Sequence, residues 1–119
     1  MVNKSEIKKK YKQTITPMGI YQLKNLKNGK ILIGSSKNLP ARKNRFEMEL
    51  SYGSLTDKEL LHDLRQFGKE SFLFEVLDYL EPKEDLSYNY TDDLKTLEEL
   101  WIEKLQPFDK KGYNKPSRK

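Results

Sequence analysis

The chain of 119 residues contains no cysteine, so a disulfide framework and a cysteine-ligated zinc site are both excluded. That absence is compatible with a reducing compartment, and a cytoplasmic location is the expectation. No apolar run approaches the roughly 18 residues that a helix needs to cross a bilayer, and no membrane partner is expected. The N-terminus is basic but has no apolar run behind it, so it does not read as a secretory leader. Internal repeats and low-complexity tracts are missing as well. The length suits one domain with a modest core.

What is present is polar for a globular chain: hydrophobic residues make up 35% and charged residues 34%. Seven Tyr, five Phe and one Trp still suffice for a small core, and the apolar residues recur in short periodic runs, which argues against disorder throughout. The formal net charge is +5, and its distribution says more than the total. Lys4, Lys8, Lys9, Lys10 and Lys12 crowd one end, and Lys110, Lys111, Lys115, Arg118 and Lys119 the other. A third basic group contains Lys37, Arg42, Lys43 and Arg45, whereas acidic residues gather between Asp78 and Glu103. Such a split points to an anionic partner, with nucleic acid the usual candidate, or to solvated ends.

Residues 1–17 read as a basic arm, residues 18–114 as the folded domain and residues 115–119 as a basic tail. Within the arm, Ser5 to Gln13 is expected to form a short helix that Pro17 ends. Gly19 to Lys24 and Ile31 to Ser35 flank the turn signal Asn28-Gly29, which predicts a hairpin. Asn38 is a plausible N-cap, Pro40 suits a first turn, and a helix is expected to about Tyr52, ended by Gly53. A second helix fits Thr56 to Phe67, stopped at Gly68. Phe72, Phe74 and Val76 alternate with Leu73, Glu75 and Leu77, the pattern of a third strand. After a polar loop, a last helix is expected from Asp92 or Asp93 to Leu105, with Pro107 barring its continuation. The order is strand, strand, helix, helix, strand, helix, giving one three-stranded sheet with helices packed on it.

Three side chains carry the candidate chemistry. On the last helix, Leu94, Leu97, Trp101, Ile102 and Leu105 form an apolar stripe, and Glu98 falls inside it. A carboxylate there must be paired with a cation of the protein or bind a metal. On the first helix, Leu39, Phe46 and Leu50 face inward, and Arg42 lies one turn before Phe46 at the edge of the stripe. Arg42 either offers its planar fork to phosphate oxygens or packs its stem over the core. Tyr21 in the first strand is either a core aromatic or an acid–base group, and it shares a face with Leu32 if the hairpin loop is even.

These residues sit within a set of motifs. Gly19-Ile20-Tyr21 and Leu32-Ile33-Gly34-Ser35-Ser36 resemble the paired signature of the GIY-YIG nucleases. Asn38-Leu39-Pro40-Ala41-Arg42 resembles the following segment, which ends in the family's catalytic Arg. Phe67-Gly68 and Phe72-Leu73-Phe74-Glu75-Val76-Leu77 resemble its turn and third strand. Glu98-Glu99-Leu100-Trp101-Ile102 resembles the helix whose Glu is the metal ligand, and Gly112-Tyr113-Asn114 the closing motif with an active-site Asn. The resemblance implies an α/β fold, a small three-stranded antiparallel sheet flanked by helices. It further implies a DNA endonuclease with one Mg²⁺ or Mn²⁺ ion per site. Tyr21, Arg42, Glu98 and Asn114 would be catalytic, Glu98 the metal ligand, and Lys37, Arg42, Lys43 and Arg45 the contacts to the DNA backbone. Selectivity would then come from structured or damaged DNA, from a partner protein or from a homodimer.

The sequence departs from the family pattern at three places. Leu32 stands where the second signature has Tyr. Phe46 stands where many members have His, one turn after the Arg, and Leu55 lies near where many carry another His. The sole histidine, His62, falls on the second helix and reads as a surface residue. Loss of one acid–base group costs about a hundred- to ten-thousand-fold in rate. The expectation is a slow or specialised nuclease, with an inactive DNA-binding or regulatory module as the alternative.

Overall fold

The computed structural model describes residues 16–85 and 87–115. The helix expected within the N-terminal arm and the tail beyond Lys115 lie outside the described residues. The elements follow the expected order: β1 (Gly19–Asn25), β2 (Ile31–Ser36), α1 (Leu39–Tyr52), α2 (Lys58–Phe67), a 3₁₀ turn (Lys69–Ser71), β3 (Phe72–Tyr79) and α3 (Thr91–Leu105). The sheet is antiparallel in the order β2-β1-β3. Gly19 opens β1 because a Cβ at that position would run into the Asp78 main-chain carbonyl of β3.

Two helix starts differ slightly from expectation, for local reasons. The Asp57 carboxylate accepts from Leu60 N at 2.9 Å, so Asp57 caps α2 from outside and the helix begins at Lys58 rather than Thr56. At α3, Asn89 Oδ1 accepts from Thr91 N at 2.9 Å. That turn starts the helix at Thr91, just ahead of the acidic pair Asp92 and Asp93. The α1 start is as expected: Asn38 Oδ1 accepts from Ala41 N at 3.0 Å and Pro40 sits in the first turn.

Helices cover both faces of the sheet. Tyr21 and Leu23 of β1 pack with Leu39 and Phe46 of α1, Leu55, Leu60 and Leu64 at and within α2, and Tyr113. Leu32, Phe72, Phe74 and Val76 close around this cluster, so the alternation read in β3 does select its inward face. On the opposite face, Ile20 and Ile33 are buried, and α3 packs against β1 and β2. Trp101 Nε1 donates to Asp78 Oδ2 at 3.0 Å and ties α3 to β3. Leu94 alone in α3 is fully buried; Leu97, Trp101, Ile102 and Leu105 are half-buried.

The chain after α3 returns along the outer edge of β2. Gly112 bridges Ile31 in parallel, with Ile31 N donating to Lys111 O at 3.2 Å and Tyr113 N donating to Ile31 O at 2.8 Å. This segment is locked by a buried polar network. Tyr113 Oη donates to Asp63 Oδ2 at 2.6 Å and accepts from Asn25 Nδ2 at 3.1 Å. Asn28 Nδ2 also donates to Asp63, at 3.1 Å. The hairpin turn, α2 and the C-terminal segment thus meet on one phenol. Nearby, Glu59 pairs with Lys30 and, at 3.5 Å, with Lys115.

Burial, and then the adjoining Asp63 carboxylate, push the Tyr113 phenol above its ordinary value near 10. Its folded form therefore binds the proton more tightly than the unfolded chain, so the linked stability is complete below about pH 10 and is lost as pH rises. Urea unfolding should show the native chain losing more stability above about pH 10 than Tyr113→Phe. At neutral pH the same variant should be about 1–3 kcal/mol less stable, because Asp63 and Asn25 lose a buried partner.

Candidate active site

Three consecutive residues of β2 anchor the side chains singled out by the sequence. Ile33 holds Asn114: its N–H donates to Asn114 Oδ1 at 2.8 Å, and its carbonyl accepts from Asn114 Nδ2 at 2.9 Å. Gly34 pairs across the sheet with Tyr21 and lies beneath its ring. Ser35 Oγ donates to Glu98 Oε1 at 2.7 Å. A strand rises roughly 3.3 Å per residue, so these anchors span about 7 Å along the strand. Alternation places Tyr21 on the α1 face and Glu98 on the α3 face, while Asn114 closes the edge.

Gly34 makes this arrangement possible. A Cβ there would stand 2.6 Å from Tyr21 Cζ, closer than any side chain tolerates. Without it, the Tyr21 ring lies flat over β2, stacked on Phe74 with centroids 5.2 Å apart and edge-on to Phe46 at 5.6 Å. Tyr21 is 6% exposed. Its Oη accepts from Arg42 Nε at 3.2 Å, so the expected catalytic pair of phenol and guanidinium is brought together. The Arg42 guanidinium carbon also stands 3.9 Å from the Phe46 ring centroid, a cation–π contact. Leu32 lies opposite Leu23, two residues from Gly34, on the same face as Tyr21.

The departures from the family pattern are structurally linked. Phe46 and Leu55 belong to the buried cluster that contains Tyr21, and Leu32 packs against it. The Tyr21 ring itself packs on Phe46 and Phe74, and Arg42 is a polar partner of its hydroxyl. His62 is exposed on α2, as expected. Of the expected DNA contacts, Lys37 is exposed and donates to Thr91 Oγ1 at 3.0 Å. Arg45 is exposed and bonds Glu49 at 3.2 Å. Lys43 lines an apolar hollow of about 350 Å³ between α1 and β3, around the helix from Arg42.

Glu98 is half-buried and forms no ion pair among the described residues. Its partner is a hydroxyl on Oε1, which leaves the second oxygen, Oε2, without a protein hydrogen-bond partner among the described residues. Among the described residues no cluster of three or more His, Cys, Asp or Glu is present. A single carboxylate does not build an all-protein cage, but it fits a hard cation that keeps waters and shares substrate phosphate oxygens. The donor set therefore suits Mg²⁺ or Mn²⁺ and not a high-affinity structural ion. Ser35, which fixes this carboxylate, escaped the sequence reading although it follows the second signature directly. Its spacing on a strand gives no hint of a helix residue 63 positions later.

The family model of the GIY-YIG catalytic domain matches residues 17–114, and the chain belongs to that family. Among solved structures it is similar to the catalytic domain of the homing endonuclease I-TevI, with a TM-score of 0.67 and 26% identity. That match covers 84% of this chain and 99% of the other. A mutant of the same intron endonuclease domain matches with a TM-score of 0.61 and 25% identity, covering 76% and 86%. No curated protein matches the chain.

Gly34→Ala should displace the Tyr21 ring and cost about 1–3 kcal/mol in urea unfolding. Tyr21→Phe, which keeps the ring and removes the acceptor of Arg42, should cost no more than about 1.5 kcal/mol. A Gly34→Ala loss no larger than that of Tyr21→Phe would show that the ring does not depend on close approach to β2.

Proposed function

We propose that this protein is a divalent-metal-dependent endonuclease that hydrolyses phosphodiester bonds in DNA. The carrying observation is that Tyr21–Arg42 and Glu98 are anchored on adjacent residues of one strand, Gly34 and Ser35. Family membership and the likeness to a homing endonuclease domain support the same reading. Glu98 would hold the ion, and a bound Mg²⁺ or Mn²⁺ supplies Lewis acidity toward phosphate oxygens.

The remaining work falls to the chain's own groups. Arg42 presents a permanent positive charge to the negative charge that grows on the phosphate. Tyr21 receives Arg42 Nε–H at Oη, which orients the guanidinium and leaves the phenolic proton free to be donated or exchanged. Asn114 holds β2 by both polar atoms of its amide, so its contribution is to fix the strand that carries the site. Lys37, Lys43 and Arg45 add contacts to the DNA backbone that set affinity, not sequence. Because Leu32 supplies no hydroxyl, one phenol must serve where the family pattern has two, and turnover is expected to be slow.

The apolar cluster that contains Tyr21, Phe46 and Leu55, with Leu32 packed against it, favours a second reading, a DNA-binding module without cleavage. The two are separated by supercoiled plasmid incubated with and without Mg²⁺ or Mn²⁺. The native chain should nick it only with metal, Glu98→Ala should abolish nicking, and Arg42→Ala should lower the rate at least about a hundredfold. Salt-sensitive DNA binding without nicking at high protein with either metal would favour the second reading.

A further inference from the structure

The side of α1 that carries Arg42 also carries Arg45, Phe46 and Glu49, spaced at one and two helical turns. Their contacts form a closed arrangement around one guanidinium. Phe46 provides its floor at 3.9 Å, Tyr21 Oη takes Nε, and Glu49 Oε1 lies 3.9 Å from the terminal nitrogen NH1. The other oxygen of Glu49 accepts from Arg45 Nε at 3.2 Å. Exposure runs outward through the trio: the side chain of Glu49 is 20% exposed, that of Arg42 27% and that of Arg45 73%.

Phosphodiester hydrolysis makes no demand for an anion at this place. A carboxylate beside NH1 opposes the approach of a phosphate oxygen, which has the same charge and seeks the same donor. The Arg42–Glu49 contact is also long for a charge-assisted hydrogen bond, whose usual length is about 2.7–2.9 Å, whereas the Arg45–Glu49 contact is close to it. Glu49 is thus hydrogen-bonded to Arg45 and only near Arg42. Loss of the Arg42 contact leaves the carboxylate still paired.

We propose that Glu49 is a positioning residue. In the free protein it steadies Arg42 against Tyr21, and it yields NH1 to a phosphate oxygen when nucleic acid binds. Arg45 keeps its Nε on Glu49 while its terminal nitrogens serve the DNA backbone, so the exchange proceeds without stranding a charge. The inference rests on the proposed reading of Arg42 as the phosphate-facing group. It adds that the affinity of the free protein is held down by an internal competitor.

The test uses the full chain and its Glu49→Gln and Glu49→Asp variants, with Glu47→Gln as a control that removes the same charge from an exposed position on the same helix. Binding of a short DNA duplex is measured without divalent cations, and the Arg42 Nε–H signal is followed by NMR. Glu49→Gln should bind the duplex about two- to fivefold more tightly than Glu47→Gln, and shift the Arg42 signal in the free protein. Glu49→Asp should fall between Glu49→Gln and the native chain. In an Arg42→Ala background the gain should disappear, as a double-mutant cycle requires of a direct competition. Equal effects of Glu49→Gln and Glu47→Gln, persistence of the gain without Arg42, or an unmoved Arg42 signal would each overturn the inference. A chain that shows these couplings but never nicks plasmid would overturn the hydrolytic reading alone.

Discussion

The structure depends on the bare Cα of Gly34. β2 is an outer strand of the three, and a Cβ at its midpoint would exclude the Tyr21 ring from the surface it occupies. With hydrogen there instead, Tyr21 lies across the strand, stacks on Phe74 and brings its hydroxyl to Arg42. The neighbours of Gly34 then complete the arrangement from the other directions. Ile33 receives Asn114 along the edge, and Ser35, on the opposite face from Tyr21, bonds Glu98 on α3. A strand turns successive side chains to opposite faces, so three adjacent residues can gather groups from α1, α3 and the C-terminal segment.

That economy explains the buried polar network. The C-terminal segment covers the edge of β2 only if it is held in register, and Tyr113 supplies the hold through Asp63 and Asn25. An uncovered edge strand invites pairing with other chains and leaves its N–H and carbonyl groups without partners. Here Ile31 and Ile33 find those partners in Lys111, Tyr113 and Asn114. The amide of Asn114 copies the donor and acceptor of a peptide group and extends the edge pairing by one residue.

The apolar replacements at positions 32, 46 and 55 can be understood together. All three meet the cluster around Tyr21, so a polar residue at any of them would face apolar neighbours. Phe46 remains useful to Arg42, because its ring face attracts the guanidinium at 3.9 Å. The apolar side chains at these positions pack in or against the cluster that holds Tyr21. Arg42 and Glu98 are each half-buried.

Much of the molecule was legible in the sequence because local rules and tertiary needs agreed. The Asn-Gly turn, the Asn38 and Pro40 helix start, the alternation through Phe72, Phe74 and Val76, and the misplaced Glu98 each carry a pattern of short range. The motifs around Gly19, Gly34, Arg42, Glu98 and Asn114 added the family. Other features required the fold. Strand order was undetermined because two helices separate β2 from β3, and a connection of that kind permits several pairings. Ser35 and Glu49 gave no signal because their partners are fixed by packing: one lies across the sheet on α3, and the other depends on where Phe46 seats Arg42. Neither period nor composition encodes such a meeting. Sequence by itself determined which elements form and which side chains carry charge; tertiary structure alone decided what each charge faces, because side chains distant along the chain meet only when the core closes.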